Sequence, residues 1–221
     1  MNQKLADPSS VEIQEWFLRF AVGYSPSYLT ASIQTAYGDF SRTLHGIGTD
    51  SVKLRRKAAG LLETEISGAH VIQAQPEYDV WHERVCVDLR ETYWKGGYRR
   101  FQMGQAQKWL NMALKYYAFL GALLGPQLGN TGRLLELGHM PIDRVILEAL
   151  SRNHGLPAAK RRELEPWSGI KEYETYRRFQ PWVRKVFPGS RPLTVDFHLW
   201  RNEMAESRIR DAAELVASNQ G

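Results

Sequence analysis

The tightest constraint on this chain is how little of it alternates. A half-buried strand needs apolar and polar residues in succession, because neighbouring side chains point to opposite faces of a sheet. Only HVIQAQ (70–75) and PLTVDF (192–197) come close. Elsewhere helix start and stop signals divide the chain. Ser9 and Glu12 form an S-x-x-E capping box behind Pro8, so a first helix starts at Ser9 and ends at Gly23 and Pro26. A second spans 27–40 and closes near Gly38. LHGIGTD is a two-glycine loop, and Thr49 or Asp50 caps a third helix, SVKLRRKAAGLLETEI. A fourth covers 77–93, KGGYRR turns, and FQMGQAQKWLNMALKYY (101–117) forms the next. GPQLGNTGR (125–133) reads as loop and LLELG as a short connector. HMPIDRVILEALSRN is a helix with Pro141 in the first helical position, where its missing N–H costs nothing, and with Asp143 in the first turn. One helix over 166–186, entered at Trp167 or Ser168, and a long one from LTVDFHLW onward complete the pattern. The expected fold class is all-α, with eight or so helices. No repeat, low-complexity tract or interdomain linker divides residues 1–221.

Composition removes several functional classes. The chain is 43% hydrophobic, enough for a core, yet has no uninterrupted apolar run of about 18 residues. The opening MNQKLADPSSVEIQEW lacks the layout of a signal peptide, so a cytoplasmic protein off the membrane is expected. The single cysteine, Cys86, excludes an internal disulfide framework and a four-cysteine metal site, and reads as a buried structural thiol. The six histidines are scattered without an HExxH pattern, so no metal site is expected. A net charge of +5 favours polyanionic partners. The basic groups cluster at KLRRK (53–57), YRR (98–100), KRR (160–162) and YRRFQPWVRK (176–185), the second and fourth with aromatics interleaved. Such clusters also suit solvated helix faces, so the distribution alone does not decide between DNA and bulk water.

The chemistry is carried by MGQAQK and HMPID. Small residues at Gly104 and Ala106 suit a tight turn feeding a helix, whose unpaired first N–H groups bind a phosphate oxygen well. Lys108 then emerges on the first turn. Lys115, seven residues on, lies about two turns deeper on the same face and reads as an ordinary helix lysine. The counter-reading for Lys108 is a surface lysine with its stem on Trp109 or Met112. For Asp143 it is a carboxylate answering the helix dipole.

Met103-Gly104-Gln105-Ala106-Gln107-Lys108 resembles the end of the L-P-G-V-G-x-K hairpin of helix-hairpin-helix DNA glycosylases, with Ala106 in place of the second glycine and no proline. His139-Met140-Pro141-Ile142-Asp143 resembles their V-P-x-D segment. The likeness covers about 100–150 directly. The two segments place lysine and aspartate 35 residues apart, a stretched connection similar to that of archaeal oxoguanine glycosylases. The resemblance implies a fold of two interleaved helical lobes, with hairpin and catalytic helices over about 98–153. It implies Lys108 as the nucleophile that attacks C1′ of the target nucleotide, and Asp143 as its electrostatic and acid–base partner. DNA would be held by Arg99, Arg100, Gly104, Gln105, Ala106 and Gln107, with help from 160–162.

The chemistry of base excision fits these residue types. Glycosidic cleavage passes through an oxocarbenium-like state that a carboxylate stabilises, and an amine nucleophile adds a Schiff base and strand scission. The amine is expected to have a lowered pKa, from desolvation and the positive helix end. A target base must also leave the duplex for an aromatic pocket. Trp16, Trp81, Trp94, Trp109, Trp167, Trp182 and Trp200 are available as walls, with Trp94 just before the hairpin and Trp167 after the catalytic helix, while His82, Asn111 and Gln107 are candidate readers of polar base edges. Each of the two suits the core better than a pocket. No cofactor is expected, beyond a monovalent cation that such a hairpin can hold, and a monomer is the expected state. The substrates implied are an oxidised purine or, as in phage-defence proteins that resemble this superfamily, glucosylated hydroxymethylcytosine. The competing class is a non-catalytic helical module that binds nucleic acid or protein, in which Lys108 and Asp143 would lie apart.

Overall fold

The computed structural model describes residues 27–124 and 132–218, with side chains described as far as 206. The first expected helix, with Trp16, and most of the loop 125–133 lie outside the described residues. No strand occurs among the described residues. The two alternating stretches are absorbed into helices. HVIQAQ forms the 3₁₀ turn Ala69–Val71 and the link that follows, and PLTVDF opens the last helix, with Pro192 as its first residue.

The helices are α1 (Tyr28–Ser41), α2 (Ser51–Gly68), α3 (Gln75–Lys95), α4 (Met103–Leu124), α5 (Gly132–Leu137), α6 (Arg144–Asn153), α7 (Ala158–Leu164), α8 (Tyr173–Arg177), α9 (Gln180–Val186) and α10 (Pro192–Ser218). Local chemistry sets their starts. The Ser27 hydroxyl accepts the Thr30 N–H at 3.0 Å and caps α1. The Glu77 carboxylate turns back to accept the Gln73 and Ala74 N–H groups ahead of α3. At α4 the Gln105 side-chain oxygen accepts the Gln102 N–H at 2.8 Å, and its amide nitrogen reaches Thr43 Oγ1 at 2.9 Å beyond the end of α1. The helix expected over 166–186 is instead three pieces: a 3₁₀ turn at Trp167–Gly169, then α8 and α9. Pro181 sits in the first turn of α9, where a proline starts a helix more readily than it continues one.

The frame is organised around α4. It packs most extensively on α1, and also meets α3, α5, α8 and the 3₁₀ turn at 167–169. One continuous cluster of buried apolar side chains runs from α1 to α10. Its centre is aromatic: Tyr93 stacks on Phe101 at 4.1 Å, and Phe40 and Tyr37 lean on Trp109. The indole N–H of Trp109 donates to the Ile33 carbonyl at 2.9 Å, so this large buried ring leaves no polar atom unpaired. Cys86 is a buried free thiol. No helix among the described residues is long and apolar enough to cross a membrane.

Candidate active site

Asp143 enters the site from an irregular segment. Residues 139–143 lack helix, and Asp143 is the N-cap of α6, its Oδ1 accepting the Ile146 N–H at 2.9 Å. This corrects the expected helix start at Pro141. Met140 and Ile142 have their backbone groups bonded to Gln180 and Gln107 and cannot join the helical ladder. The cap bond uses one carboxylate oxygen and turns the other, Oδ2, to Lys108 Nζ at 2.6 Å. Lys108 and Asp143, 35 residues apart in sequence, therefore meet, with side chains 4% and 15% exposed.

Both line a cavity of about 380 Å³. That volume falls within the roughly 300–1,000 Å³ usual for small-ligand sites. Trp167, Phe119, Phe197 and Trp200 give it aromatic surface, and Phe197 and Trp200 are 40% and 46% exposed. Lys115, Asp39 and Tyr116 add polar groups, and the exposed Arg42 and Arg144 lie along its lining. The Tyr116 hydroxyl donates to Asp39 Oδ2 at 2.9 Å. A larger cavity, about 510 Å³, lies between α1 and α2, but no lysine, cysteine or histidine lines it.

The electrostatics depart from expectation. Burial pushes the Lys108 ammonium toward neutrality, but Asp143, followed by Asp196 and Asp39, outweighs it, so its pKa is raised. The amine was expected to be lowered. The reason for the reversal is that the lysine faces carboxylates rather than a free helix end. For Asp143, burial acts upward, yet Lys108 and the Ile146 N–H prevail and hold the carboxyl below the usual range. Asp39 moves the other way: burial raises it despite the Tyr116 bond and the two lysines. The cavity thus pairs a firmly charged lysine–aspartate couple with a second carboxyl that takes up a proton more readily.

Lys115 is not the ordinary helix lysine expected. It is buried, with Nζ 2.5 Å from Asp196 Oδ2, 81 residues away on α10. Its spacing from Lys108 was the available signal, since two lysines seven apart on an apolar helix share a face. Asp196, in the apolar run PLTVDFHLW, was a second one. Asp39, Tyr116, Arg42 and Trp200 carry no motif, and their roles follow only from packing.

The phosphate-holding hairpin is overturned. Gly104, Gln105, Ala106 and Gln107 are all buried within the first turns of α4. The Gly104 N–H donates to Ile170 O at 3.1 Å, and the Gln105 and Ala106 N–H groups go to Gln102 O. These donors are spent inside the protein: the 167–170 segment packs across the helix entrance and takes the first, and the local turn on Gln102 takes the other two. Gly104 permits that approach: a Cβ there would lie 1.7 Å from the Trp167 carbonyl oxygen. Arg99 and Arg100 are exposed on the turn before α4 and do not line the cavity.

Of the expected base-pocket residues that are described, Trp167 and Trp200 line the cavity and the others do not. Trp94 donates its indole N–H to Phe101 O and carries Arg90 and Arg99 against its ring, an anchor for the 95–100 turn. His82, Asn111 and Gln107 are fully buried. His82 lies between Tyr173 and Asn111, at 2.8 and 3.1 Å, and burial holds its pKa well below the ordinary value. These three groups are consumed by one another and cannot read a base. Comparison with family models, with curated proteins and with solved structures finds no match for this chain.

Proposed function

We propose that this protein is a DNA glycosylase of the helix-hairpin-helix superfamily type, with an associated lyase step. The observation that carries the reading is the 2.6 Å contact between Lys108 and Asp143 on the wall of an aromatic cavity. A non-catalytic module was expected to leave Lys108 and Asp143 apart, and the two side chains meet.

On this reading a modified base leaves the duplex and stacks against Trp200 and Trp167, while Arg42 and Arg144 meet the flanking phosphates. The raised pKa of Lys108 keeps Nζ protonated at rest, so the amine must give up a proton before it can attack. An Nζ proton passes to the leaving base, the C1′–N bond breaks, and its electron pair leaves with the base. Asp143, ionised and fixed by its cap bond, stabilises the positive charge left on the sugar. The now neutral Nζ attacks C1′. Opening of the sugar ring, with the ring oxygen taking a proton from Nζ, gives a Schiff base; Asp143 then takes a C2′ proton as the C3′–O bond breaks, and the 3′ phosphate leaves with that electron pair, cutting the strand. The substrate classes are an oxidised purine or glucosylated hydroxymethylcytosine. The protein acts on DNA as a cytoplasmic monomer, with no cofactor in the chemistry.

Borohydride trapping on duplexes carrying these bases tests the reading. The expected result is a covalent adduct that is lost in Lys108→Ala. Absence of an adduct, with full base release by Lys108→Ala, overturns the lysine mechanism. Unchanged base release by Asp143→Asn as well removes the assignment of the pair.

A further inference from the structure

The segment that delivers Asp143 is held in an unusual way. Residues 139–143 belong to no helix, yet two backbone units in it are saturated by side chains rather than by backbone. Gln180 Oε1 accepts the Met140 N–H at 2.9 Å, and its Nε2 donates to Met140 O at 3.2 Å. Two residues on, Gln107 Oε1 accepts the Ile142 N–H at 3.2 Å, and its Nε2 donates to Ile142 O at 3.0 Å. Each glutamine does for one residue what a neighbouring strand would do.

The Gln107 grip is itself locked. Its Nε2 also donates to Gly104 O at 2.9 Å, and Asn111 Nδ2 lies 3.3 Å from its Oε1 and 2.8 Å from its backbone oxygen. Asn111 is oriented in turn. The neutral His82 places Nε2–H toward Asn111 Oδ1, and the Tyr173 hydroxyl donates to His82 Nδ1. Asn111 Nδ2 meets the Tyr176 hydroxyl at 2.7 Å, and that hydroxyl faces Met140 O at 3.3 Å. Gln107 precedes Lys108 on α4, and Ile142 precedes Asp143. The clamp therefore ties together the residues just before both members of the pair.

We propose that Gln107 is the positioning residue of the Lys108–Asp143 couple: its amide, set by Asn111, grips Ile142 and so fixes where the carboxylate meets the amine. The inference rests on the glycosylase reading for its consequence in catalysis, but not for its geometry. Gln180 grips Met140 by the same pair of bonds without adjoining either charged residue. It is therefore the control for what losing such a grip does to the fold alone.

The test uses the full chain with ¹³C-labelled lysine methylene groups, Lys108 being assigned by its loss in Lys108→Gln. Lys108 is titrated by NMR in the wild type, Gln107→Met and Gln180→Met, alongside thermal melts and borohydride trapping. The expected result is a Lys108 pKa lowered by about one unit or more in Gln107→Met, the scale of losing a close opposite charge. Gln180→Met keeps the wild-type titration at a comparable loss of melting temperature. Trapping falls about 10- to 100-fold in Gln107→Met, as when a supporting contact to a reactive group is lost, with DNA affinity unchanged. Should Gln107→Met not fold, Asn111→Leu frees the amide without removing it, and a smaller shift of the same sign is expected. An unshifted Lys108 in the folded variant, or equal shifts in Gln107→Met and Gln180→Met, overturns the proposal. A wild type that never traps DNA while the Lys108 shift is present overturns the glycosylase reading and leaves the clamp standing.

Discussion

Two lysine–aspartate pairs stand on one face of α4, at 2.6 and 2.5 Å, and they are built differently. At Lys108 the carboxylate comes from an N-cap. Asp143 spends Oδ1 on the Ile146 N–H and presents Oδ2 to the amine, so both oxygens are satisfied and the direction of one is dictated by the other. At Lys115 the carboxylate comes from the first turns of α10 and is the more buried of the two, at 1% exposure. Its Oδ1 has no hydrogen-bond partner among the described residues. A buried ion pair with unsatisfied lone pairs recovers less of its desolvation cost than one whose every oxygen is bonded. Distance alone thus ranks the pairs as equals, while the surroundings separate a preorganised couple from one held chiefly by mutual charge.

The widest separation between the pairs is expected in catalysis. Lys108→Gln should abolish the borohydride adduct and slow base release by about 10³-fold or more, the upper range for loss of a positioned acid–base group. Lys115→Gln should still form the adduct on gel analysis. Equal loss in both would erase the distinction.

Stability should rank the pairs the other way. Asp196→Ala leaves the Lys115 ammonium buried without its counter-charge, at a cost of about 3–5 kcal/mol in chemical denaturation. The double replacement Lys115→Met with Asp196→Leu should recover most of that. Asp143→Asn keeps an N-cap acceptor and should cost less than Asp196→Ala, whereas Asp143→Ala should add about 1 kcal/mol for the lost cap.

The pH dependence sharpens the account of the first pair. The folded pKa of Asp143 is depressed, so its contribution is complete above the unfolded value near 3.9 and fades as pH falls through the folded one. The folded pKa of Lys108 is raised, so its contribution is complete below about 10.4 and is lost as pH rises through the folded value. The stability difference between wild type and Asp143→Asn should therefore be flat from about pH 4 to about pH 10 and shrink outside it. A difference that already falls off at pH 6 would mean that another group holds the lysine.

The smallest effect expected is at the rim. Arg144→Gln should weaken DNA binding mildly and lower the slope of log K against log salt by about one. No change in slope would place the DNA elsewhere on the basic surface.

Much of the frame was legible because helix periodicity and capping are local. The starts of α1 to α4 lie within two residues of the expected 27, 51, 77 and 101, whereas α1 runs past Gly38 to Ser41 and α4 past 117 to Leu124. The Lys108–Asp143 pairing was legible only through the likeness of MGQAQK and HMPID to the glycosylase segments, and the two side chains do meet. The environment was not legible. Gly104 was read as a phosphate turn because a glycine at a helix entrance serves close approach of any backbone, and here the backbone is that of Trp167. Gln107 and Asn111 were read as base contacts because a buried amide and a ligand-binding amide look alike in sequence.

The sequence by itself determined a helical fold, the helix that carries two lysines on one face, and a carboxylate near the entrance of the helix that follows HMPID. Those depend on interactions spanning a few residues. Only the tertiary structure decided that Lys108 is charged rather than neutral, that Lys115 is buried on Asp196, and that α1, α4, α6 and α10 enclose one cavity. Those depend on contacts 35 to 81 residues apart, where desolvation and opposing charge act through space and leave no local pattern.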